Sequence, residues 1–557
     1  MKKPSLPCAI AALLSIVMPL QHGIADPTPS PLTTPQPALA NSPGVHIADG
    51  PFKPTWESLA ASYKCPEWFR DAKFGIWAHW TAQCVPEQGD WFARGMYEEG
   101  SPNYKYSLQH HGPQSQFGFK DYDHLWTAAN WDPDKLMALY KRAGARYFMA
   151  LANHHDNFDC YDSRYQPWNS TRVGPMKDIV GIWAQVARKY GLRFAVSNHS
   201  SHTWHWFQVA YGYDTAGPYK GIPYDGWLTK ADGKGQWWEG LDPQDLYAGP
   251  RYAPPKGLDA AAYKEWFKQH DRWHEEIPPT DNGYSEKWFL RCQDLVDKYH
   301  PDLLYFDDTS LPLEQYGLDI AAHFYNANAS WHGGDNQAVV TAKMLTPEHR
   351  PALVEDYERG AADRILSAPW QTDTCIGDWH YKKGIHYKTV SLVTQMLADI
   401  VSKNGNLMLN IPVRGDGTID DDELKFLNGL AQWMDVEKEG IFDTRPWKVY
   451  GEGPVTKGGM FNEGKLKYGA ADIRFTTKGG NTLYAYFLGW PPDGKLTIRS
   501  LAKGATPASP LDKSIASLTL LGSTDKIAYT QDASGLHITL PATPPAEGAC
   551  ALKLILE

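Results

Sequence analysis

One unit recurs along this chain: an amphipathic helix, a short turn, a run of apolar residues, and a polar cluster where that run ends. Asp132-Pro133 supplies an N-cap and a first-turn proline for a helix that Gly144 ends, and Tyr147 to Leu151 follows, closing on Asn153, His154, His155 and Asp156. The unit returns with Ile179, Ile182, Trp183, Val186 and Ala187 at helical spacing, a stop at Gly191, and the run Leu192 to Val196 leading to Ser197, Asn198 and His199. A third copy begins at Ser285, breaks near Pro301, and sends Leu303 to Phe306 into Asp307 and Asp308. Two further apolar runs match, Phe74 to Ala78 ending in His79 and Ala352 to Val354 ending in Glu355, Asp356 and Glu358. A last helix over Val390 to Val401 stops at Asn404-Gly405 before a strand over 406–412. Buried strands alternating with helices make a parallel sheet covered on both faces. No glycine-rich dinucleotide fingerprint or phosphate loop follows any of these strands, which weighs against a doubly wound nucleotide-binding fold. The pattern predicts an α/β chain built on a (β/α)8 TIM-like barrel, whose functional groups gather at the carboxyl ends of the strands.

From about Gly440 the helical signals give way to short alternating strands such as 483–488, 517–521 and 536–540, as a C-terminal antiparallel β-sandwich requires. The expected organisation is a barrel over 53–440 and a sandwich over 441–557. Residues 212–284, rich in Gly, Pro, Tyr and Trp, interrupt the barrel rhythm; they read either as an elaborated loop on the active-site face or as an insertion with its own packing. Ahead of the barrel, Lys2 and Lys3, the apolar stretch Ala9 to Leu20 and small residues at Gly23 to Ala25 read as a signal peptide over 1–25. That places the protein in a periplasm or outside the cell. The apolar stretch is too short for a membrane span, and 26–52 reads as a Pro-rich flexible leader.

A chain of 557 residues is long enough for two cores, and 54 basic against 64 acidic side chains leave a net charge of -10. Nucleic-acid partners are therefore not expected, because they require a net-basic face. Of the seven cysteines, Cys8 would leave with the signal peptide, and none of the rest are paired at metal-ligand spacing. The 23 Trp, 30 Tyr and 19 Phe fit either a large aromatic core or a surface that covers the C–H faces of sugars.

Asp307 ends one apolar strand and Glu358 lies just past another, so a barrel can bring these distant carboxyls together, as the splitting of a glycosidic bond requires. Asp308 and Glu355 are their close competitors, because one step along a strand turns a side chain to the other face. His154-His155 reads as a hydrogen-bonding pair for sugar hydroxyls, presented from a bend after the strand, in preference to a metal site. His79 fits either a core partner or a sugar ligand.

Five segments in order, WFRDAKFGIWAHW (68–80), GDWFARGMY (89–97), NHHDNFDCYDSRYQPWNS (153–170), DLLYFDD (302–308) and SKNGNLMLNIPVRGDGTID (402–420), resemble the alpha-L-fucosidases of glycoside hydrolase family 29. TRPWKVYGEGP (444–454) is similar to that family's passage into its C-terminal sandwich. The resemblance implies a retaining exo-hydrolase of terminal alpha-L-fucose that acts on fucosylated glycans through a covalent glycosyl-enzyme and needs no cofactor. It makes Asp307 the nucleophile, with Asp308 where the family has Gly. Glu358, in a region similar to the one carrying the family's acid/base, takes that role, with Glu355 in reserve. It assigns His79, Trp91, His154 and His155 to sugar binding, and it puts Asn198-His199 where the family has an aromatic hydrogen-bond donor. The apolar C6 methyl of fucose should meet an aromatic face, with Trp91, Tyr305 and Trp370 as candidates. Two other classes remain open on the sequence: a catalytically inactive carbohydrate-binding protein on the same barrel, and a metal-dependent hydrolase.

Overall fold

The computed structural model describes residues 45–270, 282–504 and 510–557. The expected signal peptide and most of the expected leader lie outside the described residues. Eight parallel strands close into a barrel: β1 (Phe74–Ala78), β2 (Tyr147–Asn153), β3 (Arg193–Asn198), β4 (Leu303–Thr309), β5 (Val339–Lys343), β6 (Val354–Asp356), β7 (Trp370–Cys375) and β8 (Gly405–Asn410). β1 pairs with both β2 and β8, so Ile76 lies level with Phe148 on one side and Leu409 on the other.

Alternation along each strand sorts the side chains into two cores. Trp77, Tyr147, Met149, Leu151, Ala195, Leu303, Tyr305, Val339, Val354 and Met408 fill the barrel, while Ile76, Phe148, Ala150, Phe194, Val196, Leu304, Phe306, Val340 and Leu409 face the helices. Gly75 belongs to the inward set. A Cβ there would lie 2.6 Å from the Tyr147 ring, so glycine makes room for the tyrosine that donates to Gln371 Oε1 at 3.0 Å. Six of the eight strands were legible as apolar runs. β5 and β7 were not, and the reason in β7 is its composition: Gln371, Thr372, Asp373 and Thr374 are all buried polar side chains where the other strands carry mostly apolar ones.

Residues 45–52 correct the expectation of a flexible leader up to 52. Phe52 is buried, and the Asn326 side-chain amide donates to the carbonyls of Ala48 at 2.8 Å and Phe52 at 2.9 Å, fastening this stretch to the helix Gln315–Trp331. The described part of 212–284 folds into short helical pieces. Buried Asp225 accepts hydrogen bonds from Tyr97 and Tyr247, each at 2.6 Å. All six cysteines of the described residues carry free thiols. No helix among the described residues is long and apolar enough to cross a membrane.

Beyond the barrel, β9 (Arg445–Glu452), β10 (Ile473–Lys478), β11 (Thr482–Phe487), β12 (Lys495–Ile498), β13 (Ile515–Leu520), β14 (Ala528–Asp532), β15 (Gly535–Thr539) and β16 (Cys550–Leu556) form two antiparallel sheets, ordered β13-β16-β11-β10-β9 and β12-β15-β14. Phe475, Leu483, Phe487 and Leu554 of the larger sheet share one core with Leu496, Ile498, Leu536 and Ile538 of the smaller. The larger sheet's other face, with Tyr484, Tyr486 and Ala551, joins the barrel's helical core.

A buried ion cluster lies within that junction. Asp399, on the helix Val390–Ser402, pairs with Arg474 of β10 and with Lys403 Nζ at 2.8 Å, and it accepts from the Tyr468 hydroxyl at 3.1 Å. Burial opposes ionisation of Asp399, but the two cations outweigh it and hold the carboxyl below its ordinary range. Asp399→Ala would leave both cations buried without a counter-charge, so it is expected to lower the unfolding free energy in urea by about 3–5 kcal/mol. An unchanged midpoint would contradict this account of the junction.

Candidate active site

At the carboxyl ends of the barrel strands lies a cavity of about 430 Å³. Its walls are Trp77 from β1, His79 from just beyond it, Asp90 and Trp91 from the following loop, His154, His155 and His199 from beyond β2 and β3, and Trp379 from beyond β7. Tyr305, Asp307, Lys343, Glu358, Arg359, Asp373 and Phe461 complete it.

The inward parity of β4 carries Tyr305 and Asp307 into the cavity, and that of β5 brings Lys343 to meet them. Lys343 Nζ lies 2.6 Å from Asp307 Oδ1 and 2.5 Å from Glu358 Oε2. Two oxygens on one nitrogen at those distances are separated by no more than their sum, 5.1 Å. Asp307 Oδ2 faces His155 Nε2 at 3.3 Å and His199 Nδ1 at 3.4 Å. Burial opposes charge on Asp307, yet the Lys343 ammonium, with His155 and His199, holds its carboxyl well below the ordinary range. Glu358 goes the other way. Its carboxyl is pushed up to about 7, first by burial and then by the nearby charges of Asp373 and Asp307, against the opposing pull of Lys343. Burial likewise disfavours charge on Lys343, but Asp307, Asp373, Glu358 and Asp356 together keep its ammonium protonated well above the usual range.

A polar floor supports this trio. The Tyr305 hydroxyl donates to Asp373 Oδ2 at 2.7 Å, and the Gln371 amide donates to Asp356 Oδ1 at 2.9 Å. Burial raises the carboxyls of Asp356 and Asp373, and repulsion between them raises that of Asp356 further.

Four histidines line the cavity with Asp307 and Glu358. His79 is fixed by Asn410, whose Oδ1 meets its backbone N–H at 2.9 Å and its Nδ1 at 3.2 Å. His154 Nδ1 is met by the Gln83 amide at 3.1 Å, which leaves Nε2 directed toward Asp90, 3.9 Å away. His155 Nδ1 donates to the His199 carbonyl at 2.8 Å. Burial, reinforced by neighbouring imidazoles, lowers His79 and His154 well below the usual histidine range, so both rings are neutral at pH 7. Neither ring nitrogen of His199 has a well-aligned hydrogen-bond partner among the described residues, and both are buried. The donor and acceptor atoms on this wall suit vicinal hydroxyls. Three sets are also spaced to hold a metal ion: His79, His154 and His199; Asp90, His154 and His380; and His155, His199 and Asp307. Trp91, in a left-handed backbone conformation with φ 60° and 38% exposed, stands edge-on to His155.

Seven residues singled out in the sequence therefore converge: His79, Trp91, His154, His155, Tyr305, Asp307 and Glu358. Four do not, and alternation accounts for three of them. Asn198 lies on the helix-facing side of β3, where its Oδ1 accepts from Trp288 Nε1 at 3.0 Å and from the Ser200 N–H at 3.1 Å; the next residue, His199, reaches the cavity instead. Glu355 is likewise outward, held by Arg350 at 2.7 and 3.2 Å. Trp370 begins β7, at the opposite end of the barrel from the cavity, and its indole donates to the Lys403 carbonyl at 2.8 Å. Asp308 turns away to Ser201 Oγ at 3.0 Å and His202 Nε2 at 3.2 Å. Lining residues of 212–284 are absent among the described residues. The sequence reading missed Lys343 and Asp373, which sit on the two unrecognised strands, as well as Asp90, Arg359, Trp379 and Phe461. An interior-parity lysine at the end of a β-branched run, Val339-Val340-Thr341-Ala342-Lys343, was the available signal for β5.

A barrel that brings two carboxyls of opposed acidity together at the mouth, beneath imidazoles and indoles, defines the glycoside hydrolase class. The comparisons carry this further. The alpha-L-fucosidase family model matches residues 39–439, and the alpha-L-fucosidase C-terminal domain model matches 469–557. The tissue alpha-L-fucosidase of Rattus norvegicus is 26% identical over 533 residues, covering 91% of this chain and 93% of that relative. That of Homo sapiens is 25% identical over 519 residues, covering 90% and 91%. The crystal structure of Thermotoga maritima alpha-fucosidase in complex with fucose has the same fold, with a TM-score of 0.63 at 24% identity, covering 90% of this chain and all (100%) of that one. The chain belongs to the alpha-L-fucosidase family.

Lys343 makes both carboxyls it touches more acidic than they would otherwise be. Lys343→Met is therefore expected to move both limbs of the pH profile of kcat/KM to higher pH and to cut its maximum on the order of a hundredfold. A uniform loss with unmoved limbs would reduce Lys343 to a packing role.

Proposed function

We propose that the protein is an exported alpha-L-fucosidase that releases terminal alpha-L-fucose from fucosylated glycans with retention of configuration. The observation that carries this reading is the Lys343 bridge, which keeps an oxygen of Asp307 within 5.1 Å of one of Glu358. Carboxyls about 5–5.5 Å apart suit a nucleophile and an acid/base, whereas inversion needs room for a water and about 6.5–9.5 Å. Family membership supplies the sugar, and the histidine wall with its indoles supplies contacts for hydroxyls and C–H faces.

In the first step, ionised Asp307 attacks the anomeric carbon while protonated Glu358 gives its proton to the leaving oxygen. The product is a glycosyl ester of Asp307. Glu358, now a carboxylate, takes a proton from the water that attacks the same carbon, and Asp307 departs ionised. The opposed shifts serve this cycle: near neutral pH the nucleophile is charged and the acid still holds its proton. No step calls on a cofactor, and activity is expected to survive exhaustive chelation. Export rests on the basic start and apolar run of the first 25 residues, which point to a periplasmic or secreted enzyme.

Activity requires Glu358 protonated, so kcat/KM falls as pH rises through about 7. It also requires Asp307 ionised, so the acid limb lies below the ordinary carboxylate range. Asp307→Gly is expected to abolish turnover of an aryl alpha-L-fucoside, and added azide to restore it with the beta-fucosyl azide as product. Native rates in Asp307→Gly would reject the assignment.

A further inference from the structure

The chain does not pass directly from β9 to β10. Residues 453–472 run back from the C-terminal sheet to the barrel mouth and are fastened there to the segment that carries Glu358. The Phe461 N–H donates to the Glu358 carbonyl at 2.8 Å, that of Glu463 to Arg359 at 3.0 Å and that of Gly459 to Ala361 at 2.8 Å. The approach is backbone against backbone. A Cβ on Gly360 would lie 2.0 Å from the Gly459 carbonyl oxygen, and one on Gly458 would lie 2.4 Å from the Asp363 nitrogen. The Glu463 carboxylate adds side-chain anchors, accepting from Thr374 Oγ1 at 2.6 Å and from Lys388 Nζ at 3.0 Å.

All this fixation presents one side chain to solvent. Phe461 has a φ of 52°, a backbone region that non-glycine residues seldom occupy, and the residue is 64% exposed while lining the cavity with Glu358. An apolar ring held out in water, on a strained backbone, is poorly explained by folding stability.

We propose that Phe461 is the platform of a leaving-group subsite, on which a pyranose aglycone stacks by its C–H face. The inference rests on the assignment of Glu358 as acid/base. A general acid touches the oxygen that leaves, so the sugar on that oxygen extends from Glu358 toward solvent, and Phe461 is the aromatic face on that path. Trp91 stands edge-on to His155, which contacts the nucleophile, and so serves the fucose itself. The C-terminal module thus contributes to recognition of the aglycone, and the preferred substrates are fucosylated oligosaccharides over fucosides with small leaving groups.

The test uses the full-length protein with two substrates: alpha-L-fucosyl fluoride, which has no sugar aglycone, and whichever fucosyl disaccharide of a linkage panel the wild type cleaves fastest. In Phe461→Ala, kcat/KM on the disaccharide is expected to fall about tenfold while that on the fluoride stays within about twofold. Phe461→Tyr, which keeps the ring, should hold both near wild type, and inhibition by free fucose should be unchanged in either variant. Equal losses on the two substrates, or no loss on the disaccharide, would overturn the subsite. A wild-type protein that releases fluoride at no measurable rate would instead remove the hydrolase reading, and the subsite with it.

Discussion

A single ammonium, Lys343 Nζ, holds two carboxylate oxygens at the mouth of the barrel, and the chemistry of the site follows from that arrangement. Taking any one of these charges out of water costs several kcal/mol, so the set is stable only when it is assembled together. Burial alone would leave both carboxyls protonated and the amine neutral. The lysine breaks that symmetry. Asp307 receives its charge along with two imidazole contacts and remains ionised, while Glu358, also repelled by Asp373 and Asp307, keeps its proton to about 7. The floor of Tyr305, Asp373, Gln371 and Asp356 extends the same logic downward, because each buried carboxyl there has a hydroxyl or amide donor.

This arrangement also gives the C-terminal sheets a place in the site. Asp399, Arg474 and Lys403 lock the larger sheet to a barrel helix, and the loop after β9 is bonded to the backbone of Glu358, Arg359 and Ala361. The segment bearing Glu358 is not held by the barrel alone. β6 is only three residues long, and the glycine-lined contact with residues 458–463 supplies the support that a longer strand would otherwise give.

Much of the barrel was legible because six strands are apolar runs with polar residues at their ends, and the nucleophile candidate stood at the end of one of them. Recognition failed where the interior is polar. β7 spends its buried positions on Gln371, Thr372, Asp373 and Thr374, so no hydrophobic signal marks it, and Asp373 was missed with it. Lys343 is hidden because β5 offers only a short run, Val339-Val340-Thr341-Ala342, before its charged end. Asn198 and Glu355 each lie one position from an inward residue, His199 and Asp356. That error follows from reading a two-residue period without the register that strand pairing provides. Phe461 carries no local signal at all, since only the tertiary return of the loop brings it to the mouth.

The claim that Asp307 and Glu358 act on one anomeric carbon from positions too close to admit a water is tested most directly by the configuration of the first sugar released. Proton NMR of an early reaction mixture, recorded before mutarotation, is expected to show alpha-L-fucose appearing first and the beta anomer growing in only as the solution equilibrates. Initial appearance of beta-L-fucose would mean that water, and not Asp307, displaces the leaving group.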